Sequence, residues 1–113
     1  MEDRKEKERK DSLYKQSVEE LYQAIVDVKD KRVAKDFLED LLTPQELVAL
    51  SGRVHCARLF LEGKTYSEVN AETDVSSATL ARIHKCLTDG TGYNEVLGPS
   101  VRAAGDGLDH GKK

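Results

Sequence analysis

The sequence predicts an all-α protein of about six helices, and three observations lead to this fold class. Apolar side chains recur at three- and four-residue steps along most of the chain, which is the spacing of one helix face. Two capping boxes, TPQE at residues 43–46 and TYSE at residues 65–68, mark helix starts. No run of alternating apolar and polar residues indicates a β-strand. With 113 residues, the chain is long enough for one hydrophobic core but not for two.

Residues 2–11 are all charged, five of each sign, so no apolar side chain anchors them. We expect residues 1–11 to form a charged arm, either a frayed extension of the first helix or a disordered segment; contact with DNA is a further alternative. An amphipathic helix is predicted from about residue 12 to residue 29, and a shorter one over residues 31–42. Their inward residues are predicted to be Leu13, Val18, Leu21, Tyr22, Ile25 and Val28 in the first helix and Val33, Phe37, Leu38, Leu41 and Leu42 in the second.

The third helix has the clearest start in the chain. Thr43 is placed to cap it, Pro44 occupies the first helical position, where no N–H is needed, and Glu46 completes the capping box. The helix is predicted to end at Gly63, since glycine suits the position that follows a helix C-terminus. Gly52 lies in its interior, where glycine costs about 1 kcal/mol relative to alanine. It either lets another helix approach closely or has no special role.

Residues 65–88 have the pattern of a helix-turn-helix. The second capping box should open a helix at about Tyr66, and that helix should end near residue 73. Asp74 tolerates a left-handed backbone, so we expect it to turn the chain. Val75 follows as the apolar residue that fills the gap between the two helices.

The second helix of this motif is predicted to be capped by Ser76 or Ser77. Leu80, Ile83 and Leu87 repeat at helical spacing and should face inward. The other faces then carry small, polar and basic side chains, namely Ser77, Ala78, Ala81, Arg82 and Lys85. A helix-turn-helix places its second helix in the major groove, so the pattern predicts binding to double-stranded DNA. The alternative is a capped helical hairpin that binds nothing.

The chain after the motif contains few apolar residues. The cluster TDGTG at residues 88–92 should break the helix. Residues 93–97 are predicted to add one helical turn that packs back, which completes a helical domain over residues 12–97. Residues 98–113 hold four glycines and one proline, and we expect them to be a disordered tail.

The composition argues against several classes of function. The net charge of −3 argues against indiscriminate affinity for nucleic acid, although residues 53–88 hold five Lys and Arg against four Asp and Glu. No apolar run approaches the roughly 20 residues that span a bilayer, and no secretory signal opens the chain. We therefore expect a cytoplasmic protein that does not associate with membranes.

Cys56 and Cys86 lack the spacing of a zinc site and fit two reduced structural thiols better than a redox switch. The histidines form no ligand set or catalytic constellation, so no metal, cofactor or enzymatic activity is predicted.

The segment LTPQELVALSGRV at residues 42–54, together with SATLARIHKCL at residues 77–87, resembles the Trp repressor superfamily. It is most similar to Trp-repressor-like proteins of the YerC/YecD type, and the resemblance extends from about residue 12 to residue 97. The resemblance implies an intertwined homodimer whose two helix-turn-helix motifs read a palindromic operator. It also implies a sequence-specific transcription regulator, a repressor that acts by occluding its site.

The resemblance also implies which residues bind DNA and a small effector. The matching DNA-binding positions are Ser76, Ser77, Ala78, Thr79 and Ala81. Arg82 and Lys85 are added by their charge, and Lys64 by its place near the start of the first helix of the motif. In the Trp repressor a tryptophan binds beside the second helix of the motif. The matching pocket positions here are Thr43, Arg53, Thr79 and Arg82, with Cys86 in place of a serine that helps to hold the amino group.

Ile83 replaces a glycine that leaves room for the indole ring, so we expect any effector to be a molecule other than tryptophan. A structural alternative for Arg53 is pairing with an acidic side chain, and for Arg82 it is contact with a DNA phosphate. The alternative function is a helical dimer that serves as a protein-interaction module without reading DNA. The acidic balance of the chain favours that alternative.

Overall fold

The computed structural model describes residues 2–110, with side chains over residues 3–104. Six helices follow one another along the chain: α1 Glu2–Val26, α2 Lys31–Leu41, α3 Pro44–Leu61, α4 Tyr66–Glu72, α5 Ser77–Asp89 and α6 Gly92–His110. No strand occurs in this part of the chain, so the predicted all-α fold is confirmed. None of the described helices is long and apolar enough to cross a membrane. The chain divides into two compact units, Met1–Leu41 and Leu42–Lys113.

The first unit consists of α1 and α2. Asp30 precedes α2, and its carboxylate accepts a hydrogen bond from the backbone N–H of Val33 at 3.0 Å. No side chain described in residues 3–41 is buried. Five large apolar side chains predicted to face inward are exposed, namely Leu13, Leu21, Tyr22, Ile25 and Leu41. Tyr14 and Val26, outside the predicted stripe, are exposed as well. The apolar stripe that the periodicity predicted is therefore present on the helices, but its large side chains are exposed to solvent in the single chain.

The second unit contains the hydrophobic core, in which α4, α5 and α6 all pack against α3. The buried residues come from all four helices: Cys56, Ala57, Leu59, Val69, Leu80, Ile83 and Leu97. Partly buried apolar residues surround them, namely Phe60, Leu61, Val75, Leu87 and Tyr93. The two residues predicted to face inward in the middle of α5, Leu80 and Ile83, are 0% and 2% exposed.

Local hydrogen bonds explain where α3 and α4 begin. Thr43 accepts from the backbone N–H of Glu46 at 3.1 Å, and the Glu46 carboxylate accepts from the Thr43 N–H at 2.8 Å. Thr65 and Glu68 repeat this capping box at 3.2 Å and 2.8 Å. Gly63 has a φ of 100°, a left-handed conformation that glycine adopts without strain.

The end of α3 is a Schellman motif. The N–H of Gly63 donates to the carbonyl of Phe60 at 3.0 Å, and the N–H of Lys64 donates to the carbonyl of Leu59 at 3.1 Å. Two orphan carbonyls of α3 are thus satisfied within the turn, and the chain is turned directly into the capping box of α4.

Two helices are longer than the sequence predicted. α1 begins at Glu2, within the charged residues 2–11, where pairs such as Glu6–Lys10 at 4.0 Å have the spacing that supports a helix. α6 continues to His110, past the single turn predicted at residues 93–97 and into the predicted tail. Pro99 removes one backbone donor without ending α6, and alanines at 103 and 104 favour the helical state. Residues 111–113 of the predicted tail lie outside the described residues.

Candidate nucleic-acid interface

The connection between α4 and α5 is a short extended segment, residues 73–76. Thr73 leaves α4 with φ −128° and ψ 159°, and Ser76 enters α5 with φ −61° and ψ 153°. The prediction that Asp74 turns the chain through a left-handed conformation is wrong, because no described residue other than glycine has a positive φ. The chain reverses direction with extended residues at both ends of the connection, which any residue type adopts without strain.

Val75 lies in this turn. Its side chain is partly buried and packs against the core of the second unit. Its Cγ2 lies 3.4 Å from the position that a Cβ on Gly52 would occupy. The close approach that Gly52 permits is therefore made by the turn of the motif and not by a neighbouring helix. Val75 was expected to fill the gap between the two helices of the motif, whereas this contact is with the third helix, α3.

An aromatic cluster joins α3, α4 and α5 around the motif. The ring of Phe60 at the end of α3 lies 5.2 Å from that of His84 and 6.3 Å from that of Tyr66. The Tyr66 hydroxyl donates to the backbone carbonyl of Ser77 at 3.3 Å, so the start of α4 is attached to the start of α5. Sequence reasoning did not assign a role to these three aromatic rings; the only available signal was an aromatic residue directly after the Thr65 cap, within the second capping box.

One face of α5 presents four of the predicted DNA-binding residues. Ala78, Ala81, Arg82 and Lys85 are separated by three, four and seven positions, and all four are exposed. Neither Arg82 nor Lys85 has an ion-pair partner among the described side chains. Ser77, the first residue of α5, is exposed as well.

The remaining three predicted DNA-binding residues have their polar groups engaged within the protein. Ser76 caps α5: its hydroxyl accepts from the Thr79 N–H at 3.2 Å and donates to the Thr79 hydroxyl at 3.0 Å. Thr79 is half-buried. Lys64 pairs with Glu72 at 3.0 Å, and the hydrogen bond from Lys64 to that carboxylate raises the pKa of the ammonium group. Glu72 was not predicted to take part in the site.

Four of the five predicted effector residues line one small cavity between α3, α5 and α6. Its volume is about 290 Å³. The lining residues are Arg53, Thr79, Arg82, Ile83, Cys86 and Tyr93. Thr43 is not among them, because it caps the start of α3, whereas Arg53 lies in the middle of that helix. Tyr93 was not predicted to belong to this site, and its sequence position after a glycine-rich breaker gave no signal.

A second cleft of about 410 Å³ lies between α3 and the turn of the motif. It shares Arg53 and Thr79 with the smaller cavity and is also lined by Gly52 and Val75. The Arg53 side chain is exposed at both cavities and has no acidic partner among the described residues.

The cysteines do not meet. Cys56 is buried and Cys86 is half-buried, and both are free thiols. The Cys56 thiol donates to the Thr73 hydroxyl at 3.7 Å, which ties α3 to the end of α4. In the part of the chain that the structure describes, no three His, Cys, Asp or Glu side chains are grouped to hold a metal ion.

Comparisons with known proteins point to one family. A sequence model of the Trp repressor protein family matches residues 16–99. The chain is 34% identical over 86 residues to the uncharacterized protein YerC of Bacillus subtilis (strain 168), covering 76% of this chain and 83% of YerC.

Two solved structures are also similar. One is a TrpR-like protein from Eubacterium eligens ATCC 27750, with 39% identity, a TM-score of 0.66 and coverage of 74% of this chain and 88% of that one. The other is a candidate Trp repressor from Staphylococcus aureus, with 29% identity, a TM-score of 0.67 and coverage of 74% and 85%.

Proposed function

We propose, from the premise that this chain belongs to the Trp repressor protein family, that it is a sequence-specific DNA-binding transcription regulator. In this proposal the protein is a homodimer that represses by occluding a palindromic operator. The role places it in the cytoplasm with its target DNA and involves no catalytic activity. The predicted resemblance to Trp-repressor-like proteins of the YerC type is confirmed, and the family is one of regulators.

The observation that carries the proposal is the exposed face of α5. Ala78 and Ala81 have small side chains, so the backbone of α5 can approach base edges closely on this face. There an alanine methyl can contact a thymine methyl. Arg82 and Lys85 flank them on the same face, suited to phosphates or to guanine. This face belongs to a helix whose start is held by a side-chain cap and by Tyr66, so it is presented in a defined direction.

The homodimer is supported by the apolar surface of the single chain. Tyr22 and Ile25 on α1 are 56% and 55% exposed, and Val48 on α3 and Val96 on α6 are exposed still further. Large apolar side chains exposed in this number indicate a surface that a partner covers. A twofold symmetric partner would present two copies of α5, which matches an operator with two half-sites about one helical turn apart.

The proposed regulation by a small effector rests on the cavity that Arg53 and Arg82 line together. Two guanidinium groups without an acidic partner among the described residues suit a ligand that carries a carboxylate or a phosphate. The cavity of about 290 Å³ is at the small end of ligand sites. Ile83, which is 2% exposed, takes the place of the glycine that admits indole in the Trp repressor, so we propose an effector other than tryptophan.

A second candidate function is a helical dimer that binds other proteins without reading DNA. The net charge of −3 favours it, because a protein that depends on contacts with phosphates usually carries positive charge. In that case the exposed apolar side chains of α1, α3 and α6 would bind other proteins.

Selection of genomic fragments by the purified full-length chain separates the two candidates. The regulator predicts that a small set of fragments is enriched at both low and moderate salt, and that they share an inverted repeat. If all fragments are retained equally at low salt and none is retained at moderate salt, the binding is driven by charge alone. Absence of retention at either salt concentration would contradict the regulator and leave the protein-interaction module.

A further inference from the structure

We propose that Val75, seated against Gly52, is a positioning residue that sets the direction in which α5 meets DNA. The inference rests on the proposed function, since it concerns the helix expected to read the operator. It assigns a role to a residue pair outside the exposed face of α5, one member in the turn and the other in the middle of α3.

The backbone of the turn supplies little restraint of its own. The hydrogen bonds at its two ends belong to the helices: the Thr73 N–H donates to the Val69 carbonyl at 3.1 Å, and the Ser76 hydroxyl caps α5. Among the described residues, Asp74 and Val75 take part in no hydrogen bond between these ends. A segment of this kind can swing, so the direction of α5 has to be fixed by side chains.

Two side-chain attachments fix the start of α5, and they lie on different helices. Tyr66 reaches Ser77 from α4 through one exposed hydrogen bond at 3.3 Å. Val75 reaches Gly52 on α3 through an apolar contact, with 3.4 Å between its Cγ2 and the site of a Cβ. Leu80 and Ile83 hold the middle of α5 in the core, so the freedom that remains is a tilt of its first turn. One hydrogen bond from Tyr66 limits that tilt only in part, and the contact of Val75 with α3 limits it further.

A Cβ at Gly52 would lie 3.4 Å from Val75 Cγ2, which is van der Waals contact, so the space beside Val75 fits a small side chain and not a large one. Val75 therefore packs directly over the backbone of α3 at this interior glycine. The cleft of about 410 Å³ beside the pair shows that the turn is not enclosed on all sides. Open space on that side means that a change at Val75 or Gly52 can move the turn without breaking the core.

The test uses the full chain and the operator fragment found by selection. Val75→Ala removes the methyl groups that pack against Gly52 without creating a clash. Gly52→Val places a side chain in the space that Val75 Cγ2 contacts. We expect each to weaken specific binding about tenfold, comparable to loss of recognition at one base pair. Binding to unrelated DNA and dimerisation should stay unchanged, because the basic residues and the apolar faces are intact. The double variant combines Val75→Ala with Gly52→Val, which moves the side-chain volume from the turn to α3. It should recover most of the specific affinity.

Val101→Ala is the matched control, since it deletes the same two methyl groups from a partly buried position on α6, outside the motif. If Val75→Ala retains wild-type specific affinity, or loses specific and unrelated binding in equal proportion, the positioning role is wrong. If Gly52→Val does not fold, Val75→Ala alone still decides the question. A wild-type protein that selects no fragment would instead contradict the proposed function, so the two failures are distinguishable.

Discussion

Lys64 and Glu72 form an ion pair across the two ends of α4, with 3.0 Å between the Lys64 ammonium and the Glu72 carboxylate. Lys64 precedes the cap of α4, and Glu72 is its last residue. The side chains are 35% and 45% exposed, so solvent screens the pair and its contribution to stability is small. Lys64 is a predicted DNA contact, so in the proposed interface its charge already has a partner within the protein.

The first prediction concerns Glu72→Gln. Removal of this carboxylate releases Lys64 and deletes one negative charge near the proposed interface, so DNA affinity should rise several-fold at low salt. The dependence of log affinity on log salt should steepen by about 0.9, the value for one additional phosphate contact. Fluorescence anisotropy over a salt series measures both quantities. Glu95→Gln on α6 removes the same charge away from the motif and should have a smaller effect; equal effects of the two variants would contradict the role of the pair.

The second prediction concerns the basic residues on the exposed face of α5. Arg82→Ala and Lys85→Ala should each weaken binding, and a residue that contacts only phosphate should reduce the salt slope by about one. A residue that also reads a base should in addition relax the preference at one operator position. Lys35→Ala is the control, because Lys35 pairs with Glu39 on α2 at 3.1 Å. An unchanged isotherm for either α5 variant would remove that residue from the interface.

Sequence reasoning succeeded where the responsible interactions are local. The caps of Thr43 and Thr65 each involve a partner three residues away, so four letters of sequence suffice to predict them. The attachment of Tyr66 to Ser77 and the pairing of Lys64 with Glu72 connect residues that are distant along the chain. Neither pair has a spacing that a periodic pattern can identify. The first depends on how α4 packs beside α5, and the second on where the turn between α3 and α4 places Lys64.

The error at Asp74 has a different origin. Its tolerance of left-handed geometry is a property of the residue, whereas the conformation adopted depends on where Val75 can be buried. Gly52 could be recognised as unusual from sequence, but its neighbour could not be named until α3 and the turn were placed together. The effector cavity shows the same limit, since Tyr93 reaches it from α6.

The third prediction concerns acid and the capping box of α4. The backbone N–H of Thr65 donates to the Glu68 carboxylate and, with the Thr65 hydroxyl, lowers the pKa of that group. A pKa that is lower in the folded state stabilises the protein above the ordinary carboxyl pKa, and this stabilisation is lost as pH falls through the lowered value. Glu68→Gln keeps an acceptor oxygen but does not titrate, so the variant should be less stable than wild type at pH 6 and should approach it at pH 3.

Urea unfolding at a series of pH values measures this difference. Glu20→Gln on α1 serves as the control, because Glu20 accepts no hydrogen bond among the described residues and its difference from wild type should vary less with pH. A constant difference between wild type and Glu68→Gln from pH 6 to pH 3 would show that ionised Glu68 does not stabilise the cap.

The fourth prediction concerns assembly. Ile25 lies on the apolar stripe of α1 and is 55% exposed in the single chain. Ile25→Lys places a charge in the surface that the proposed homodimer buries, so sedimentation equilibrium should show a shift from dimer to monomer at micromolar concentration. Glu20→Lys introduces the same residue on the polar side of α1 and should remain dimeric. A dimer that tolerates Ile25→Lys would place the interface elsewhere.

The fifth prediction concerns Ile83, which is 2% exposed in the core and also lines the cavity of Arg53 and Arg82. We proposed that its side chain fills the space that the indole ring takes in the Trp repressor, so the wild-type protein should show no saturable binding of tryptophan. The chain contains no tryptophan, so the fluorescence of the added amino acid reports binding directly. Ile83→Ala should cost about 2–5 kcal/mol of unfolding free energy by creating a cavity, and tryptophan should bind this variant more tightly than wild type. Leu80→Ala creates a comparable cavity away from the two arginines and should lower stability without any gain in tryptophan binding; saturable binding by the wild type would show that Ile83 does not close the site.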